Sequence, residues 1–348
     1  MSKKLLKNIC AVFLAGFMAL LLLPQSAQAQ KKDAYVVKSS DKKTLTFYYD
    51  AQKSSRTGTV WGIDETKEED QETFPAWAGT MYTAVPEVTT IVFDNSFKNF
   101  RPKTTKNWFF NFTNLEEIKG LENLNSSEVT IMSGMFVDCE KLSQLNLSSF
   151  NTEKVQDMSG MFDGCSCLTS LNLSNFNTEK VQDMSNMFYC CKSLSSLNLS
   201  SFNTEKVQDM CAMFFGCSSL TFLNLSNFNT EKVENMSGMF SGCSSLSSLN
   251  LSSFNTEKVQ YMSEMFCACS SLSSLDLSNF DTEKVQDMSG MFGNNTSLRT
   301  IYCNNTWTCA LSNEMFYNCT SLKGAVKYNA NKEDVSMANP NTGYFTKK

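Results

Sequence analysis

The sequence predicts an α/β solenoid: a parallel β-sheet on one face, short helices on the other, and a cap at each end. Three observations predict it. A landmark Phe recurs every 26 residues, at Phe150, Phe176, Phe202, Phe228, Phe254 and Phe280, and a Met-Phe pair keeps the same period from Met135-Phe136 to Met291-Phe292. Units that repeat at one fixed period of this size stack, because one unit cannot bury its apolar face alone. Within a unit, Leu168, Leu171 and Leu173 read L-x-x-L-x-L, and the alternation around Asn172 is that of a strand with one buried face. Val181, Met184, Phe188 and Cys191 then follow at spacings of 3, 4 and 3, which predicts a short amphipathic helix.

The ends of each predicted element are legible too. Asn177 and Thr178 stand before the helix, where both types accept bonds from free N–H groups. Gly164, Gly216 and Gly242 stand at its far end, where a left-handed residue is wanted, and Asn294 and Asn318 hold the same place in other copies. Each coil is therefore expected to run strand, turn, helix, turn.

Taken in order, residues 1–29 read as a signal peptide. Lys3, Lys4 and Lys7 precede an apolar run from Ile9 to Leu23, and Ala27-Gln28-Ala29 is a small-x-small cleavage site. The run is short for a membrane span, and no second long apolar run follows, so an exported chain without a membrane span is expected. Residues 30–113 are out of register with the repeats and read as a β-rich N-terminal cap. Ala34–Lys38 and Leu45–Tyr49 form a hairpin pattern around Ser39–Lys42, and Val88–Phe93 is a candidate first strand of the stack. Residues 114–321 are the solenoid. The coil from Leu298 is degenerate and two residues shorter, since its Met-Phe pair is Met315-Phe316. Residues 322–348 are the expected C-terminal cap.

The L-x-x-L-x-L unit is the geometry of a leucine-rich repeat, and the wording is narrower still. NTEKVQDMSGMFDGCSCLTSLNLSNF closely resembles the BspA-type leucine-rich-repeat surface proteins of bacteria, also described by a mycoplasma lipoprotein-associated repeat. The resemblance extends to the aromatic-rich opening (FYYD at Phe47–Asp50, NWFFNFTNLEEIKGLENL at Asn107–Leu124) and to the ending ANPNTGYFT at Ala338–Thr346. It implies a secreted or cell-surface protein that binds other extracellular proteins, in some members host matrix proteins.

Composition excludes several classes. The net charge is −5, with acids and bases interleaved, which argues against nucleic acid as a partner. Glu153, Glu179, Glu205, Glu231, Glu257 and Glu283 stand beside Lys154 and its copies as a solvated charge ladder. The chain has no His, the commonest general base and metal ligand. No P-loop, Rossmann glycine pattern or G-x-S-x-G is present, and the acids sit at the same places in coil after coil. The reading is a protein that is not an enzyme, with no cofactor and no metal.

Of the 14 Cys, those at 139, 165, 191, 217, 243, 269 and 319 are locked to the repeat and read as buried hydrophobes. Cys303 and Cys309 lie outside that column and are the disulfide candidates.

Near-identical repeats serve as their own comparison. The outward strand column reads Gln144, Ser170, Ser196, Phe222, Ser248 and Ser274, so Phe222 is the one aromatic on a surface of Ser and Asn. Asn224 lies on the same strand, flanked by Asn198 and Asn250, and together they form the candidate ligand surface. Tyr189 and Phe215 share a second variable column and form another candidate patch. The expected function is adhesion to extracellular proteins by a monomer, with glycan binding as the alternative.

Overall fold

The computed structural model describes residues 31–348, so the expected signal peptide lies outside the described residues. Ten strands are assigned: β1 (Asp33–Lys38), β2 (Thr44–Asp50), β3 (Thr59–Gly62), β4 (Thr66–Glu69), β5 (Glu72–Pro75), β6 (Thr90–Phe93), β7 (Glu117–Lys119), β8 (Ser274–Asp276), β9 (Thr300–Tyr302) and β10 (Phe345–Thr346). A five-stranded sheet runs β3-β1-β2-β6-β7. Its hairpin part, β3-β1-β2, is antiparallel, and β2-β6-β7 continues parallel into the stack. At the other end β8, β9 and β10 form a second parallel sheet.

The first sheet covers the open end of the core with aromatic side chains. Phe47 stacks on Phe93 and Trp108 and meets Phe97, Phe109 and Trp77 edge-on. From Phe109 the rings continue down the solenoid. Phe136, Phe162, Phe188, Phe214, Phe240, Phe266 and Phe292 are nearly parallel, 5.7–5.8 Å apart, and Phe316 ends the row. Around this axis the Val, Met, Leu and landmark Phe columns are buried.

The expected helices do not form: no α-helix is assigned among the described residues. The stretch from Met158 to Cys165 is a succession of tight turns with left-handed residues four apart, Gly160 (φ 58°) and Gly164 (φ 70°). Asn186 with Cys190, Ala212 with Gly216, Gly238 with Gly242 and Gly290 with Asn294 repeat the pattern. A helix needs negative φ throughout, so two such residues per coil forbid it. The 3-4-3 spacing survives because each four-residue turn also buries one side chain. Alternate N–H groups bond within the coil, Met161 to Met158 (3.2 Å). The others cross to the next coil: Met158 to Asp183 (3.1 Å), Gly160 to Ser185 (2.8 Å), Phe162 to Met187 (3.0 Å) and Gly164 to Tyr189 (2.9 Å). A line of single parallel bridges from Thr104 to Leu311, through Asp157, Asp183 and Asp209, runs beside these bonds.

The strand face also departs from expectation. The L-x-L segments 143–147, 169–173, 195–199, 221–225 and 247–251 are extended but are not strands. Among the described residues no backbone hydrogen bond joins them. The coils are thus hydrogen-bonded on the Met-Phe side, and the parallel sheet is confined to the two ends.

Candidate functional site

Phe222 sits between buried Leu220 and Leu223 on an extended segment, where alternation turns it outward, and it is 64% exposed. Its column neighbours Ser196 and Ser248 are exposed as well. Asn198, Asn224 and Asn250 are exposed on the same face. Each uses its carboxamide oxygen locally, accepting the N–H two residues on: Ser200 (3.1 Å), Ser226 (3.1 Å) and Ser252 (3.0 Å). Such Asx turns bend the chain out of each segment. Asn146, Asn172 and Asp276 do the same in other coils. The constancy of this column therefore has a local cause, and the amide nitrogens and the oxygens' second lone pairs remain for a partner. Phe222 has no such internal use.

Tyr189 and Phe215 lie on the Met-Phe side, across the core from Phe222. They are half-buried and stack on each other at 4.7 Å and 8°. Asp163, in the same column, and Asp138 beside it are half-buried acids. Burial, and then the charge of Asp138, raises Asp163 to about 7, and burial raises Asp138 itself. Asp138 holds a left-handed position (φ 54°) where the following coil has Gly164, and its Oδ1 occupies the space a Gly164 side chain would need. An acid replacing the repeat's small residue was the signal available in the sequence.

The repeat-locked thiols are buried and each donates to a Phe carbonyl one coil before, as Cys191 to Phe162 (3.2 Å) and Cys217 to Phe188 (3.1 Å). Asn295 replaces Cys in one coil and donates to the equivalent carbonyl of Phe266 at 2.7 Å. Burial raises these thiols, Cys269 and Cys319 to about 12, which removes the reactive thiolate. Cys303 and Cys309, the expected disulfide, are not bonded: the first donates to Asn305 (3.6 Å) and the second to Leu311 (3.2 Å).

Thr178, expected to cap a helix, instead bridges coils. Its hydroxyl donates to the Asn203 carbonyl and accepts the Asn203 N–H, both at 2.8 Å. The charge ladder is exposed, and among the described residues its one ion pair is Lys154–Glu128 (2.7 Å). No group of three or more acidic or thiol side chains suited to a metal is present among the described residues. Nor is any described helix long and apolar enough to cross a membrane.

This arrangement is a repetitive scaffold whose departures from periodicity are few and local. The family model described as Mycoplasma protein of unknown function, DUF285, matches residues 103–222 and 212–329. The chain belongs to this family. Its repeat is the mycoplasma-type unit of the BspA-type leucine-rich-repeat proteins. No curated protein matches the chain. Among solved structures, it is similar to a T. pallidum leucine-rich-repeat protein at 17% identity and a TM-score of 0.31, over 61% of this chain and 86% of that one. A leucine-rich cell surface protein from Faecalibacterium prausnitzii is 15% identical with a TM-score of 0.27, over 84% and 92%. A leucine-rich-repeat protein from Eubacterium ventriosum is 15% identical with a TM-score of 0.34, over 83% and 81%.

Proposed function

We propose that this chain is a non-enzymatic, exported repeat protein that binds other extracellular proteins through the face formed by its L-x-L segments. The observation that carries the reading is Phe222, a large apolar side chain 64% exposed on a surface otherwise of Ser and Asn. Aromatic anchors ringed by polar groups carry much of the binding energy at protein interfaces. The solenoid supplies a long regular surface around this anchor. Residues 1–29 supply the export signal, and extracellular proteins, host matrix proteins among them, are the partners we assign.

The test compares wild type with Phe222→Ser, which restores the repeat consensus, in binding to immobilised matrix proteins. Binding should weaken at least tenfold, a loss of about 1.4 kcal/mol. Thermal stability should stay within about 1 kcal/mol, as for surface substitutions. Equal binding by the two proteins would remove the Phe222 site.

A further inference from the structure

At the N-terminal end of the L-x-L face, a cleft of about 560 Å³ opens between β7 and the segments 143–146 and 169–172. A smaller cleft of about 160 Å³ adjoins it, sharing Ile118, Gln144, Leu145 and Asn146. The floor is apolar. Ile118 and Leu145 are half-buried, as is Leu249 at the same position in a later coil, whereas Leu171, Leu197 and Leu223 are only 2–8% exposed.

The walls are neutral hydrogen-bonding groups: the hydroxyls of Ser143, Thr169 and Ser170 and the amide of Gln144. Gln144 stands where four of the other coils have Ser, so this coil departs from the repeat in the direction of longer reach. Among the described residues, the main chain of 143–146 and 169–172 makes no backbone hydrogen bond, so its N–H and C=O groups are also free to bond a ligand. Glu116 and Glu117 form an acidic rim.

Mixed donors and acceptors over a small apolar floor match a polyhydroxylated ring, which presents hydroxyls at its edge and C–H groups on its face. The acidic rim repels carboxylated or sulfated sugars and tolerates amines. We propose that this cleft is a glycan-binding site for short neutral or amine-bearing oligosaccharides, separate from the Phe222 surface. Gln144 is its main side-chain contact, and Ile118 with Leu145 is the platform.

The test is a glycan array carrying neutral, amine-bearing and anionic oligosaccharides, followed by calorimetric titration of the strongest neutral or amine-bearing binder. The site predicts saturable binding that weakens at least tenfold in Gln144→Ala and is unchanged in Phe222→Ser. Bound sugar should also slow hydrogen exchange at the amides of 144–146. An array with no neutral or amine-bearing binder, or titrations in which Gln144→Ala matches wild type, overturns the proposal. Loss of the sugar in Phe222→Ser with retention in Gln144→Ala overturns it equally, by moving the ligand to the other surface. Loss of matrix-protein binding in Phe222→Ser bears only on the protein-binding reading.

Discussion

Gly160→Ala separates a helix from a chain of left-handed turns by the sign of its effect. In an exposed helix the change would stabilise by about 1 kcal/mol, the propensity difference between the two residues. The structure demands the reverse. Gly160 has φ 58°, and an added Cβ would meet nothing closer than Asp163 Cβ at 3.8 Å and Val137 Cγ2 at 3.9 Å, both ordinary contacts. The cost is therefore purely conformational, about 1–2 kcal/mol for a left-handed residue with a Cβ. It is offset by the about 0.4–1 kcal/mol that Ala saves in the unfolded chain. The expected net loss is about 1 kcal/mol, so the two readings differ by about 2 kcal/mol. Gly164→Ala should cost more, because its Cβ would lie 2.1 Å from Asp138 Oδ1 and 3.1 Å from Asp138 Cα. Replacing Asp138 by Gly in the same chain should recover part of that extra loss. Ala212→Gly, at φ 52°, should gain about 1 kcal/mol from the same balance. Urea unfolding midpoints read all four variants, and a Gly160→Ala protein more stable than wild type refutes the left-handed turns.

Other expectations follow from burial. Phe202→Ala or Phe228→Ala should destabilise by about 3–5 kcal/mol, since both rings are buried in a packed column; urea midpoints equal to wild type would place them outside the core. Ellman's reagent should modify exposed Cys167 in the native protein, while Cys191, Cys217 and Cys243 react only on denaturation. Fast native labelling of all of them would contradict the buried column. Asp163, raised to about 7 by burial and by Asp138, should support stability fully below about pH 4 and lose it as the pH rises to about 7, by up to about 4 kcal/mol. Asp163→Asn should therefore raise the melting temperature at pH 8 more than at pH 5, and equal shifts at both would show a carboxylate free of that burial cost.

The period, the buried columns and the outward place of Phe222 were legible because a strict repeat converts side-chain chemistry into position. Helix and turn ladder were not separable on the apolar stripe alone, since both bury residues three and four apart. The deciding signal was a second column, Gly134, Gly160, Asn186, Gly238 and Gly290, broken only by Ala212 and Glu264, four residues ahead of the glycines taken as helix ends. Thr178 was misassigned for a related reason. A hydroxyl before a predicted helix suggests a cap, and the bridge to Asn203 exists only once the neighbouring coil is in place.

For the same reason, constancy and function separate differently than columns alone suggest. Asn198, Asn224 and Asn250 were attractive as ligands because they are polar, exposed and repeated. Yet repetition is what an Asx turn in every coil requires, and the bonds to Ser200, Ser226 and Ser252 account for it. Residues with no such internal use are the ones left to explain by binding. On the L-x-L face these are Phe222 and Gln144, three coils apart in a column of Ser. One is apolar and stands clear of the surface; the other is an amide over the half-buried Leu145. Because their chemistry differs and a column of Ser separates them, they are better assigned to two ligands than to the ends of one.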